Sequence, residues 1–169
     1  MKENPRDGSF FIYFSGSLEK LEEMEFLLGS NTSDNLFELL GGGFNISDVT
    51  PDIAAIREVS EETIGKLSLN KNEIKYFCHM VQKLPSLGEG EKGHVFCFFK
   101  ECNSFLNFKV SNEHYILSWH KLLDILRDGE KVYRTSTLRI IFHFLNYLSN
   151  QEFRFGVLGE KVKFMDYEF

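Results

Sequence analysis

Cysteine is scarce in this chain. Cys78, Cys97 and Cys102 are its only three in 169 residues, odd in number and without a CxxC spacing. That excludes a disulfide framework and a cysteine-rich zinc site, and it suits a reduced compartment. Basic residues are also in deficit: 19 Lys and Arg stand against 25 Asp and Glu, a formal net charge of −6. Such a surface disfavours DNA, RNA and anionic membranes, all of which attract basic patches. A small phosphorylated ligand stays open, because a divalent metal neutralises its site locally. Long hydrophobic runs are missing too. The apolar run Phe10 to Phe14 is too short for a signal-peptide core, and no stretch reaches the length of a membrane span. The expectation is a cytoplasmic protein.

What is present suits one globular domain over residues 1–169: 43% hydrophobic residues, including 18 phenylalanines, with no repeat, low-complexity tract or linker. Short aromatic and β-branched runs predict strands at Ser9 to Phe14, Phe26 to Leu28 and Leu36 to Leu40. The last of these enters a glycine turn, Gly41-Gly42-Gly43. Further strands are expected at Glu73 to Leu84, His94 to Lys100 and Tyr115 to Trp119, followed by helices at His120 to Arg127 and Ser136 to Ser149. The tail, residues 150–169, reads as a terminal hairpin with strands Phe153 to Leu158 and Val162 to Tyr167, an edge that suits pairing in a homodimer. Helices mixed with strands indicate an α/β or α+β fold with a mixed sheet.

From Pro51 the pattern becomes helical. Thr50 is a capping residue, Pro51 suits the first helical position, and Asp52 complements the amino-terminal dipole. The helix is predicted to end near Gly65. At helical spacing Ile53, Ile56, Val59, Thr63 and Ile64 share one side. Glu58, Glu61 and Glu62 then occupy an arc of roughly 100° opposite them, with Arg57 at its edge. Three carboxylates so close repel one another, an arrangement that a bound cation relieves. Hard divalent cations take oxygen ligands of this kind. His79, His94, His120 and His143 show no metal-ligand spacing. Lys131, Arg134 and Arg139 are basic residues around a helix start.

The segment from Gly43 through Arg57-Glu58-Val59-Ser60-Glu61-Glu62 resembles the signature of the Nudix hydrolases: G, five residues, E, seven residues, then R-E-U-x-E-E-x-G-U, with U aliphatic. Gly43 and Arg57 stand at the required separation, and Glu58, Val59, Glu61 and Glu62 fall on their positions. Val49 stands where the first glutamate belongs, with Asp48 and Asp52 nearby, and Gly65 comes one residue late. Asn112-Glu113-His114 followed by Trp119 is similar to the acidic-then-tryptophan segment of many members. The likeness spans about residues 9–148.

The resemblance implies an α/β/α sandwich with a mixed sheet, and a hydrolase that cleaves a pyrophosphate bond in a nucleoside diphosphate linked to another moiety. It implies Mg²⁺, with Mn²⁺ in its place as a second choice. Glu58 and Glu62 would be the principal ligands, Glu61 would share or bridge, and the Gly42 carbonyl would complete the shell. Arg57 would orient a neighbouring carboxylate. The general base stays open among Glu61, Glu113, Glu89 and Glu91. The partner would be a small phosphorylated substrate, a nucleotide derivative, with no membrane, DNA or RNA. Val49 motivates an alternative: a fold that binds a nucleotide-like ligand or a partner protein without turnover.

Overall fold

The computed structural model describes residues 7–83, 92–102, 114–156 and 167–168. Its strands are β1 (Gly8–Ser15), β2 (Glu25–Asn31), β3 (Phe37–Glu38), β4 (Leu40–Gly43), β5 (Lys75–Lys83), β6 (Lys92–Glu101), β7 (His114–Lys121) and β8 (Tyr167–Glu168). The helices are α1 (Pro51–Glu62), α2 (Leu122–Asp128) and α3 (Thr135–Gly156), with a short 3-10 segment at Leu18–Glu23. The sheet runs β3-β2-β1-β6-β5-β8, with β4 paired to β1 and β7 to β2. It is mixed: β1 runs parallel to β6 but antiparallel to β2 and β4. The fold is therefore the expected α/β class.

One edge of β1 is shared. Its first half, Gly8 to Phe11, pairs with Gly43 to Leu40, and its last two residues pair with Phe26 and Glu25. The glycine run is thus a strand rather than the predicted turn. Glycine has no side chain to pack in a sheet, so this conformation is imposed by the register with β1.

Side chains of β1 alternate between two cores. On the α3 face, Ile12 and Phe14 join Phe26, Phe77, Phe99 and Phe144. The Phe144 ring meets Phe14, Phe99 and Phe77 at centroid distances of 4.8, 5.1 and 5.2 Å, contacts that add about 0.5–1.5 kcal/mol each beyond area burial. On the α1 face, Phe11 and Tyr13 pack with Leu40, Ala55 and Val59. This second layer positions the candidate site.

The tail differs from expectation. Phe153 to Gly156 continue α3 instead of forming a hairpin strand, and Tyr167–Glu168 run parallel to β5 at Met80 and Val81. The apolar run there extends the helical repeat of the preceding turns. Among the described residues, no helix is long and apolar enough to cross a membrane.

Candidate active site

β4 and α1 meet with no side chain between them on the strand's part. A Cβ at Gly42 would lie 2.8 Å from the Glu58 carboxyl carbon and Oε1, and 2.9 Å from Oε2. A side chain at Gly41 would strike the Ser9 carbonyl at 2.3 Å, and its φ of +141° is itself a glycine conformation. The backbone of β4 therefore touches the carboxylates directly. Ser9 fixes the helix from below by donating its hydroxyl to the Pro51 carbonyl at 2.6 Å.

The three glutamates do not share one solvated face. Glu58 and Glu62 are buried, at 6% and 1% relative exposure. Glu61 points to solvent, with 52% of its side chain exposed. The buried residues of α1 are Ala54, Ala55, Glu58, Val59 and Glu62. Two alanines let the helix sit close to the sheet, and Glu62 is drawn inward by the Gly41 N–H, which donates to its Oε2 at 2.9 Å. Ile64, expected on the core side, is 54% exposed because the chain leaves the helix there with φ +53°. Thr50 has the extended backbone of an N-cap but its side chain makes no capping bond.

Arg57 ties the pieces together. Its Nε donates to Asp48 Oδ1 at 3.1 Å and its Nη2 to Asp48 Oδ2 at 2.8 Å. Nη2 also reaches the Gly43 carbonyl at 3.0 Å and Glu58 Oε1 at 2.8 Å, while Nη1 holds Glu61 Oε2 at 3.1 Å. The guanidinium fork matches a carboxylate in two bonds, the strong form of this pair. The Asp48 side chain is only 2% exposed. The Arg57 hydrogen bonds hold its carboxyl below the ordinary carboxylate range, and Asp48 in return holds Arg57 firmly charged.

Asp48 is the residue that motif counting passes over. Val49, in the glutamate position, is 83% exposed. The turn Asn45 to Asp48 closes with the Asp48 N–H on the Asn45 carbonyl at 3.0 Å and the Asn45 N–H on Asp48 Oδ2 at 2.9 Å. That geometry turns residue 48 inward and residue 49 outward. The acidic residue beside the vacancy was the only signal of it in the sequence.

Other expectations fall as follows. Glu113, Glu89 and Glu91 lie outside the described residues. Trp119 packs against Tyr13 at 5.6 Å, as a core residue. Arg134 pairs with Asp34 at 2.8 Å, away from the helix glutamates in the chain's fold. Arg139 lines a cavity of about 290 Å³ on the α3 face, with Phe10, Met80, Val95, Thr135 and Ser136. His79 and His94, unrelated by spacing, are brought together by the β5–β6 ladder with Nε2 and Nδ1 2.9 Å apart.

The donor set suits a hard divalent cation. Glu58 and Glu62 offer oxygens one helical turn apart, against a bare strand backbone. Among the described residues no three acidic, histidine or cysteine side chains are gathered as a cage. Mg²⁺ seldom needs one, since it is commonly held by one or two carboxylates plus substrate phosphates and water. Gly42→Ala tests the contact between strand and carboxylate. Its methyl group would displace the Glu58 carboxylate, so turnover should fall at least tenfold while the thermal midpoint moves little, as followed by activity and melting curves.

No family model matches the sequence, and no curated protein does. Solved structures do. The NUDIX domain of Shewanella oneidensis NrtR, complexed with ADP ribose, superposes with a TM-score of 0.63 at 14% identity, over 88% of each chain. A C. elegans Ap4A hydrolase in a binary complex gives 0.59 at 19% identity, over 85% of this chain and 98% of that one. A Francisella tularensis bifunctional NMN adenylyltransferase/ADP ribose pyrophosphatase, complexed with AMP and a Mn ion, gives 0.62 at 18% identity. There the match covers 85% of this chain and 42% of the larger protein. With its mixed sheet between α1 and α3 and its glutamate helix docked on a glycine strand, this chain has the fold of the Nudix hydrolases.

Proposed function

We propose that the protein is a metal-dependent hydrolase that cleaves a pyrophosphate bond in a nucleoside diphosphate linked to another moiety. The observation that carries this reading is the pair of buried carboxylates, Glu58 and Glu62, pressed against the side-chain-free backbone of Gly41 and Gly42. Burying two acids side by side is costly unless a cation or strong donors compensate. Here Arg57 holds Glu58 and the Gly41 N–H holds Glu62. Glu58, Glu62 and the Gly42 carbonyl would hold Mg²⁺ or Mn²⁺. When bound, such an ion screens phosphate oxygens and lowers the pKa of a coordinated water.

The chain's own residues do the rest. Arg57 fixes Glu58 and the Gly43 carbonyl in one orientation, so the site is set before substrate arrives. Glu61 is the solvent-facing carboxylate of the three and the one open to accept a proton from an attacking water. The ADP ribose and nucleotide complexes of similar structures support a nucleotide derivative as the substrate class. Purified protein incubated with nucleoside triphosphates, nucleotide sugars and dinucleoside polyphosphates should release phosphorylated products only when a divalent metal is supplied.

Val49 in the motif's first glutamate position motivates a second reading, binding without turnover. Asp48 already clamps Arg57, so a glutamate at 49 would add a solvated charge and little else. Val49→Glu should change kcat/KM by less than about threefold, a surface-substitution effect. A gain of orders of magnitude from near zero would favour the binding module.

A further inference from the structure

Two of the three thiols meet in the fold. Cys78 on β5 and Cys97 on β6 are direct cross-strand partners, and both belong to the core on the α3 face. Directly opposed Cα atoms in an antiparallel ladder stand about 4.5 or about 5.5 Å apart, according to the rung. A disulfide spans Cα separations of about 4.4–6.8 Å, so either rung admits one. The ladder also shifts register between Tyr76 and Cys78. Such a bulge bends and twists its strand locally, which gives the pair latitude to settle its torsions. Cys102 is on the other face of the sheet, where it packs with Tyr13.

The two thiols are unequal. Cys97 is buried, and burial together with its hydrogen bond to Cys78 pushes its thiol well above the usual cysteine range. It is held as a neutral S–H group. Cys78 is only half-buried, so its sulfur is the one a small reagent meets first. The cavity lined by Phe10, Met80 and Val95 lies beside the pair. Met80 and Val95 stand two residues along their strands from Cys78 and Cys97, on the same face, and Phe10 is the β1 partner of Cys97.

We propose that Cys78 and Cys97 are a site of reversible oxidation, a dithiol that a small peroxide closes into a cross-strand disulfide. In the first step the Cys78 sulfur attacks one peroxide oxygen and the O–O bond breaks. The departing hydroxide takes the thiol proton and leaves as water, so Cys78 becomes a sulfenic acid. The Cys97 sulfur then attacks the Cys78 sulfur, the S–S bond forms and the S–O bond breaks. That hydroxide leaves as water with the Cys97 proton. Two thiols have lost two electrons and two protons, and the peroxide has become two waters. Burial slows the second attack, and the direct contact of the two sulfurs offsets it. The site lies across the sheet from Glu58 and does not depend on metal chemistry there.

The test treats the folded full chain with hydrogen peroxide, quenches in acid, alkylates the remaining thiols in denaturant and maps the peptides by mass spectrometry. Free thiols should fall from three to one, with Cys102 the survivor, and the intact mass should drop by two hydrogen atoms. One peptide pair should be joined through Cys78 and Cys97, and dithiothreitol should restore all three thiols. Cys102→Ser should leave this bridge in place, and Cys78→Ser should abolish it while Cys97 stays reduced. The wild-type map decides the question even if a cysteine variant fails to fold. Three thiols that persist in peroxide, a Cys78 sulfinic acid that accumulates beside an untouched Cys97, or a bridge that joins two chains would overturn the proposal.

Discussion

Glu58→Gln should lower kcat about 100- to 1,000-fold at saturating Mg²⁺ with a nucleotide substrate, and leave the circular dichroism spectrum unchanged. The substitution keeps the size of the side chain and its place against Gly42, but removes the charge that would hold the cation. Lewis-acid stabilisation of a phosphoryl transition state is worth several kcal/mol, and each 1.36 kcal/mol is a factor of ten in rate. The loss should be accompanied by weaker metal affinity. Glu61→Gln makes the informative contrast. Its side chain is half exposed and, among the described residues, bonded by Arg57 alone, so metal uptake should persist while turnover drops. If Glu58→Gln retains full turnover, the helix glutamates are structural and the site lies elsewhere.

Arg57→Ala has the second large expected effect, and it acts on stability as well as activity. The variant strands Asp48, whose side chain is nearly inaccessible, without its two-bond partner. Losing hydrogen bonds between charged groups costs about 2 kcal/mol when the survivor stays desolvated. Glu58 and the Gly43 carbonyl also lose their shared anchor. Denaturant titration should therefore show a lower midpoint, and kcat should fall with it.

The stability difference between wild type and variant carries a pH signature. Arg57 hydrogen bonding lowers the Asp48 pKa in the folded protein from a reference of 3.8. The resulting stabilisation is fully present above about pH 4, where the unfolded chain is ionised as well. It fades at lower pH as the folded carboxyl takes up its proton. Melting curves of wild type and Arg57→Ala should converge in acid. A stability difference that stays constant at all pH values would show that the Asp48–Arg57 charge pair is not its source.

The parts of this structure that follow from local chemistry were legible in the sequence. Pro51 and Asp52 mark the start of α1 without ambiguity, and the aromatic runs of β1 and β2 read as strands. The spacing from Gly43 to Glu62 resembled the Nudix signature, and the fold agrees with it. What sequence alone concealed depends on tertiary pairing. Three glycines have no intrinsic reason to be a strand, and only their register with Gly8 to Phe10 makes them one. Glu58 and Glu62 looked solvated because periodicity treats glutamate as polar. The inward pull of a strand N–H and an arginine is invisible in spacing.

Position 49 shows the same limit from the other side. Counting places a valine where an acid belongs, but the turn from Asn45 swings Asp48 into the arginine instead. The His79–His94 contact needs the β5–β6 register, which no one-dimensional spacing rule contains. At the tail, Phe153 to Gly156 have the composition of a strand yet extend α3, since the helix before them already sets the local repeat.

Manganese uptake measured by electron paramagnetic resonance, in the presence of methylenediphosphonate, tests the central assignment most directly. The expected result is saturable loss of the free-ion signal with wild-type protein. That loss should be strongly weakened by Glu58→Gln and by Glu62→Gln, and little changed by Val49→Glu. An undiminished free-ion signal with wild-type protein, or uptake that is indifferent to both glutamine variants, would contradict the account.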